Sequence, residues 1–446
     1  MTAPWRQVPS SIRTWAVCHP YSLLALLVLP VLGVYLGKRS DSEWESVYLL
    51  AAQHLRQGEY IYHAQDGYLY PPFTAWAAQP FTAMSPLGQR VTWVVINLIA
   101  VVAILRWAWR LAGGSSLEGQ RRVPPHEHAA AVLGTLCGLP YLHNCLVHQQ
   151  TDVLLAALLL GGCVLLAQAR SLAAAACFGL AAAVKCTALL WVPYLVWRRQ
   201  FGAAAILLGV AVGVNLLPDL VSRPSSGRTW LTEYAVQFLH PLAQATTYPG
   251  TWGSDILYNQ SLAGAGQRWL ARTWEFGTEG WTSRMREEPP HPAVVRAAVY
   301  AVQAGLLLLV FLVCRRPFQR LDDMSDGRAR LVLECSLVLL LMLLLSPMSS
   351  KAHFGVLVLP GLCLARRIVA TSCRWLRAIF FGALILGLIS NKDPIGDQLY
   401  SLTLWYGFTT WQTLLLLLGC LLVLRQGSSA LPLPGSAHAE PSSRAA

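Results

Sequence analysis

Charge is what this sequence has least of. Only 13% of its 446 residues are charged, against 55% hydrophobic, whereas a soluble domain carries roughly a quarter charged residues. That balance argues against a soluble protein. Also missing are a Walker A loop, a GxGxxG turn and an HExxH helix, so nucleotide-phosphate, dinucleotide and zinc-peptidase chemistry have no support here. The 11 cysteines form no CxxC pair, and most lie in or beside apolar stretches, among them Cys137, Cys163, Cys177, Cys314, Cys335, Cys363 and Cys420. Neither a disulfide framework nor a zinc site follows from that pattern. No repeat at a fixed period is present, and with it goes the duplicated architecture of many transporters.

Long apolar runs are what the sequence has instead. Residues 21–37, 91–113, 203–218, 298–314 and 402–424 approach or reach the ~17 to 25 residues that cross a bilayer core. The net charge of +12 would suggest nucleic acid in a soluble chain. Here the arginines cluster in short loops between apolar runs: Arg121 and Arg122, Arg198 and Arg199, Arg315, Arg316 and Arg320, Arg366 and Arg367, Arg374 and Arg377. Such clusters orient a membrane protein, so the charge is topological and no nucleic-acid partner is implied. The first run lacks a small-residue cleavage site and is followed by Lys38 and Arg39, which reads as a signal anchor.

With the amino terminus inside, about a dozen crossings put every short basic loop in the cytoplasm. They begin near residues 21, 90, 129, 152, 171, 186, 201, 295, 330, 353, 376 and 401, and those around 171–198 are short enough to be broken helices. The fold class is therefore an all-α polytopic membrane protein. One transmembrane domain covers 1–425, with outer segments at 38–89 and 221–292 that carry short helices. The Ser-, Pro- and Ala-rich residues 426–446 have little to bury and read as a disordered cytoplasmic tail.

The outer segments and the helix ends hold the polar chemistry. Asp41, Glu43 and Glu45 stand within five residues. A carboxylate at the mouth of a cavity is a candidate general base, and the same cluster also suits a solvated turn capping the next helix. Lys185 lies in an otherwise uncharged stretch, where a charge costs at least ~2.5 to 3.5 kcal/mol on insertion. It can hold a phosphate as a point charge or snorkel to the interface. His148-Gln149-Gln150-Thr151-Asp152 and Ser346 to His353, with Lys351, close apolar segments on the same side as Lys185, and read either as ordinary polar turns between crossings or as walls of one outward cavity. The aromatics Trp230, Tyr234, Tyr248, Trp252, Tyr258, Trp269, Trp274 and Trp281 suit either interfacial anchoring or stacking on sugar rings.

The order of motifs resembles glycosyltransferase family 87, membrane enzymes of the GT-C class that include polyprenyl-phosphate-mannose-dependent α-mannosyltransferases. The residues that carry the likeness are Glu43-Trp44, Tyr48-Leu49-Leu50-Ala51-Ala52, Gly58 to Tyr62, Tyr70-Pro71-Pro72-Phe73, Trp93 and Asn97. Gln150-Thr151-Asp152, Lys185 after Ala181 to Val184, Asn259-Gln260-Ser261-Leu262 and Ser346-Pro347 leading to His353 complete it. The resemblance implies an aspartate base, and by spacing Glu43 stands in that place with Asp41 two residues earlier, so that Glu43 acts, Asp41 has taken over, or the chemistry is lost.

The resemblance implies a GT-C-like bundle of about 12 helices that moves a hexose, mannose by analogy, from a polyprenyl-phosphate carrier to a lipid or glycan hydroxyl. Transfer would take place on the outer, periplasmic face of the inner membrane, with inversion and without metal or cofactor. Glu43 or Asp41 would act as base, and Lys185, His353 and Lys351 would hold the donor phosphate. Tyr70, Gln150, Asp152, Asn259, Gln260 and Trp252 would contact substrate. A transporter or flippase for lipid-linked sugars, or a binder without turnover, are the other readings.

Overall fold

The computed structural model describes residues 42–114, 124–243, 247–250, 256–277, 280–314 and 325–426. The first apolar run, the clusters at Arg121 and Arg315, and the tail beyond Gln426 lie outside the described residues. Among those described, the chain is almost entirely helical. A wide turn at Trp44–Leu49 leads into α1 (Leu50–Gln57), which ends on Gly58 at φ 77°, the left-handed conformation that terminates a helix cheaply only at glycine. A short turn (Ala64–Asp66) and α2 (Pro72–Ala78) follow. Then comes α3 (Pro86–Leu111), opened by Ser85, whose hydroxyl accepts from the Gly88 N–H at 3.2 Å, and by Pro86 at the first position, where a missing N–H leaves nothing unbonded. At about 1.5 Å per residue, α3 runs ~39 Å, more than the ~30 Å hydrocarbon core.

The bundle continues with α4 (Pro125–Leu136), α5 (Leu139–His148), α6 (Asp152–Ala167), α7 (Ser171–Val184), α8 (Trp191–Trp197) and α9 (Phe201–Asn215). After α10 (Trp230–Tyr234) and α11 (Leu262–Ala271), α12 (Pro292–Cys314) and α13 (Ser325–Leu345) return to the bundle. It closes with α14 (Val358–Ala370), α15 (Arg374–Ile389), α16 (Lys392–Trp405) and α17 (Phe408–Gln426). Residues 331–344 of α13 are buried at every position, as expected of a helix that is apolar all round. Its Glu334 pairs with Arg198 and Arg330 and accepts from the Tyr194 hydroxyl at 3.2 Å, so the buried charge is not left alone. By contrast α12 exposes Leu307, Leu308, Phe311 and Leu312, a surface suited to lipid. This is a multi-pass membrane protein of the expected all-α class.

The expected dozen crossings are only partly matched by long spans. Among the described residues five helices are long and apolar enough to cross, or six when α4 and α5, bent by 47°, count as one. Asp152–Ala167, Ser171–Val184 and Cys186–Trp197 are apolar but shorter, so the segments around 171–198 are indeed broken.

A two-stranded hairpin between residues 272 and 285 (β1, Arg272–Gly277; β2, Gly280–Met285) adds an element not foreseen. Its signal was an alternation of polar and aromatic residues from Thr273 to Phe276, the period of a strand. Most of the described aromatics nearby pack on one another or on the bundle rather than forming an open platform. Trp230 is fully buried beside Tyr60 and Tyr62, Trp269 stacks on Trp411, and Trp274 stacks on Trp405.

Helices α4 and α14 touch through glycine. A Cβ on Gly361 would lie 2.5 Å from the Gly134 carbonyl oxygen, and one on Gly134 would lie 2.5 Å from the Leu362 Cα. Such contacts let backbones approach as small-residue pairs do in membranes. Gly361→Ala is expected to destabilise the protein by roughly 1 to 3 kcal/mol through overpacking. Thermal unfolding in detergent checks this, with Gly209→Ala, which meets open space within a helix and should not destabilise, as the control.

Candidate active site

The site is assembled around the reversal between α5 and α6. Gln149 adopts φ 56° there, and the Gln150 N–H bonds back to the Cys145 carbonyl at 3.0 Å. This left-handed step turns the chain so that Gln150 and Asp152 emerge beside each other. The Gln149 carbonyl accepts from the Trp93 indole at 3.2 Å, and its side-chain oxygen accepts from the Ser42 hydroxyl at 2.5 Å. Trp44 stacks on Trp93 at 3.6 Å between ring centroids. Together these contacts fix the segment that carries Glu43 onto the helical bundle.

Glu43 Oε1 accepts from the Gln150 amide at 2.5 Å. Among the described residues Oε2 makes no hydrogen bond. Burial holds the carboxyl above its ordinary value, opposed by the Gln150 hydrogen bond and then by the charge of Lys185. Glu45 points elsewhere, in an ion pair with Arg90 whose second contact is 2.9 Å. At ~100° per residue, positions two apart face nearly opposite sides of a helical winding, so only one of these two glutamates can look into the bundle. Asp41 lies outside the described residues.

Lys185 stands where α7 breaks. Its backbone is extended, at φ −145° and ψ 122°, before the chain re-coils through Cys186–Leu190. The ammonium donates to both Asp152 oxygens, at 2.7 and 2.8 Å, and meets His353 Nε2 at 3.0 Å. It also lies 5.0 Å from the centroid of Tyr70, within cation–π range. Since the ammonium has only donors, His353 Nε2 accepts from it, and His353 Nδ1 carries the proton toward the Ser350 carbonyl at 3.0 Å. The imidazole is therefore neutral, and the cationic charge at this spot belongs to Lys185 alone.

The turn delivering Tyr70 is equally constrained. The Tyr68 hydroxyl donates to the Pro71 carbonyl at 2.8 Å and accepts from the Ala75 N–H at 2.9 Å, while Asn215 accepts from the Phe73 N–H at 2.9 Å. Tyr70 packs on Tyr48 at 4.8 Å between centroids. Burial pushes its phenol up to about 12, so it stays an O–H donor.

Two cavities meet at this turn. One, of about 470 Å³, has mostly apolar walls, including Leu189, Leu190, Pro193 and Met342, with Lys185 and His353 among its polar lining. The other, of about 880 Å³, is polar and lined by Glu43, Gln150, His143, His148 and Lys351 among others. Leu69, Tyr70, Met348 and Ser350 line both.

The structure thus brings Glu43, Gln150, Asp152, Lys185, Tyr70 and His353 together, and it places other candidates elsewhere. Lys351, expected beside Lys185 at a phosphate, lines the polar cavity, donates to the Ser390 carbonyl and lies 4.3 Å from the Tyr400 ring centroid. Asn259 and Gln260 line neither cavity. The Asn259 amide donates to the Gly250 and Pro347 carbonyls and its oxygen accepts from the Ser349 N–H at 3.0 Å. The Gln260 amide donates to the Leu257 and Leu404 carbonyls. These two tie loops together. Trp252 lies outside the described residues. Ser42 carries no sequence signal, while Gln149 and Tyr48 stand in the polar run after His148 and in the motif from Tyr48 to Ala52 without an assigned role.

A polytopic helical bundle thus holds an apolar and a polar cavity that share one wall. The chain belongs to glycosyltransferase family 87, whose model matches residues 68–347. That range contains Tyr70, Gln150, Asp152 and Lys185; Glu43 and His353 lie outside it. A comparison with curated protein sequences finds no match. Among solved structures the chain is similar to ArnT from Cupriavidus metallidurans bound to undecaprenyl phosphate. The identity is 15% and the TM-score 0.35, with 91% of this chain and 78% of that one covered. At that distance no positions carry across.

Proposed function

We propose that this membrane glycosyltransferase takes a hexose, mannose by family resemblance, from a polyprenyl monophosphate and passes it to an acceptor hydroxyl. The reaction is placed on the outer, periplasmic side of the inner membrane, where the Arg-rich loops leave the 38–89 and 221–292 segments. The observation that carries the proposal is the shared wall at Tyr70, with a phosphate-competent lysine in the apolar cavity and a carboxylate in the polar one. The lipid tail enters the apolar cavity and the phosphate meets Lys185. The acceptor lies in the polar cavity, where Glu43 Oε2 takes the proton of its hydroxyl as the oxygen attacks the anomeric carbon. The bond from that carbon to the phosphate oxygen breaks on the opposite face, so the configuration inverts and polyprenyl phosphate departs. Lys185 balances the negative charge left on the phosphate. Its link to Asp152 keeps the ammonium in place before donor arrives, and His353, neutral at rest, holds it from the other side.

Purified protein in liposomes, given radiolabelled polyprenyl-phosphate-mannose and a mixed lipid extract, tests the reading. Formation of a labelled glycosidic product supports it. Movement of labelled donor across the bilayer without product supports a flippase, and retention of donor without either supports a binder.

The base makes a pH prediction. Glu43 works only when ionised, and burial raises its carboxyl, so kcat/KM falls on acidification at a pH above the ordinary glutamate range. Gln150→Leu removes the hydrogen bond that opposes the shift, so the acid limb moves to still higher pH. A pH profile in which the substitution moves the limb to lower pH, or not at all, contradicts the assignment.

A further inference from the structure

The turn that delivers Tyr68 to Tyr70 carries a cluster the proposed transfer reaction does not use. His54, in the last turn of α1, faces Asp66 with Nδ1 to Oδ2 at 3.7 Å, and His63 packs edge-on to it at 5.5 Å between ring centroids. One ligand atom from each of His54, His63 and Asp66 lies within 4.8 Å of the others. Asp66 Oδ2 is buried without a hydrogen-bond donor, a costly state for a carboxylate oxygen. The Tyr60 carbonyl oxygen lies 3.4 Å from His54 Nδ1, and Glu59 reaches the opposite ring nitrogen at 3.9 Å. A carboxylate behind a histidine is the arrangement that orients imidazoles toward metals.

We propose that His54, His63 and Asp66 bind a divalent transition-metal ion, zinc by the preference of an imidazole and carboxylate donor set. Asp66 Oδ2, one His63 nitrogen and His54 Nδ1 are the protein ligands; on binding, the His54 proton leaves Nδ1, where it faces the Tyr60 carbonyl, for Nε2, where Glu59 closes from 3.9 Å to accept it. Ligand atoms on one zinc ion stand roughly 3 to 3.5 Å apart at bond lengths near 2 Å, so the cluster, now spread over as much as 4.8 Å, contracts by up to about 1.5 Å through rotation of the partly buried His63. The ion ties the end of α1 to the turn that enters the cavity wall through Gly67 and Tyr70. It has no part in the sugar transfer proposed above and does not depend on it. The sequence hid the site because its ligands are nine and three residues apart, at none of the familiar zinc spacings.

Protein purified without a polyhistidine tag is stripped with chelator, dialysed against micromolar Zn(II) and assayed for metal per chain. The wild type is expected to hold about one equivalent and to unfold at a higher temperature than when stripped. His63→Ala and Asp66→Asn should hold none while unfolding, when stripped, at the temperature of the stripped wild type. Glu59→Gln should bind ~10- to 100-fold more weakly. Co(II) substitution adds a visible spectrum in the wild type that His63→Ala lacks. A wild type that takes up no metal, or a His63→Ala variant that holds as much zinc as the wild type, overturns the proposal.

Discussion

Glu43→Gln lowers sugar transfer by ~100- to 10,000-fold, the usual contribution of a general base, with little change in donor affinity. The substitution keeps the shape of the side chain, but two amides now meet where Glu43 Oε1 accepted from Gln150. Either amide can rotate to restore the contact, so folding is preserved. What disappears is the proton acceptor facing the polar cavity. Asp41→Asn is expected to retain full transfer, and so is Glu45→Gln, whose partner Arg90 lies in a part-buried pair away from Lys185. Single-turnover transfer with saturating donor separates these outcomes. Loss of transfer in Asp41→Asn with none in Glu43→Gln would move the role to Asp41, and full activity in both removes the carboxylate base altogether.

The second large effect lies at Lys185. Lys185→Met alone leaves Asp152, whose side chain is 1% exposed, without its counter-charge, and losing one member of a buried pair costs ~3 to 5 kcal/mol. Misfolding is then the expected result of the single change. Combining it with Asp152→Leu removes both charges and restores most of the stability. Donor affinity should nevertheless stay weak in the double variant, by roughly 10- to 150-fold for one lost charge-assisted contact, while acceptor affinity is unchanged. Thermal unfolding and donor titration on the same preparations read the two effects apart. If the double variant is stable and binds donor normally, Lys185 and Asp152 form a structural pair only.

What the sequence disclosed follows from what is costly in a membrane. Lys185 could be picked out because a charge inside an apolar run needs a reason, and the break of α7 at that residue was foreseen in the short segments around it. The 41–45 cluster could be picked out because carboxylates are scarce in this chain. Its division of labour could not, because it depends on which side of a helical winding meets the bundle, and that is set by the stacking of Trp44 on Trp93 across 49 positions of sequence. Pairings such as Asp152 with Lys185, or Glu43 with Gln150, join distant residues and leave no local pattern. Lys351 stands apart from Lys185 for the opposite reason. Two residues from His353, it shares a polar turn with it, yet neighbouring positions on a tight helix point to different cavities. Asn259 and Gln260 read as ligands because they are polar and aligned with a family motif, whereas their hydrogen bonds go to loop carbonyls.

The most direct test of the arrangement is a structure of the protein with a short-chain polyprenyl monophosphate. Phosphate density is expected within hydrogen-bond distance of Lys185 Nζ and beside Tyr70, with the isoprenoid chain in the cavity lined by Leu189, Leu190, Pro193 and Met342. Phosphate bound instead in the polar cavity, against Lys351 and Lys392, which both line it, would contradict that arrangement, because the leaving group would then occupy the place assigned to the acceptor.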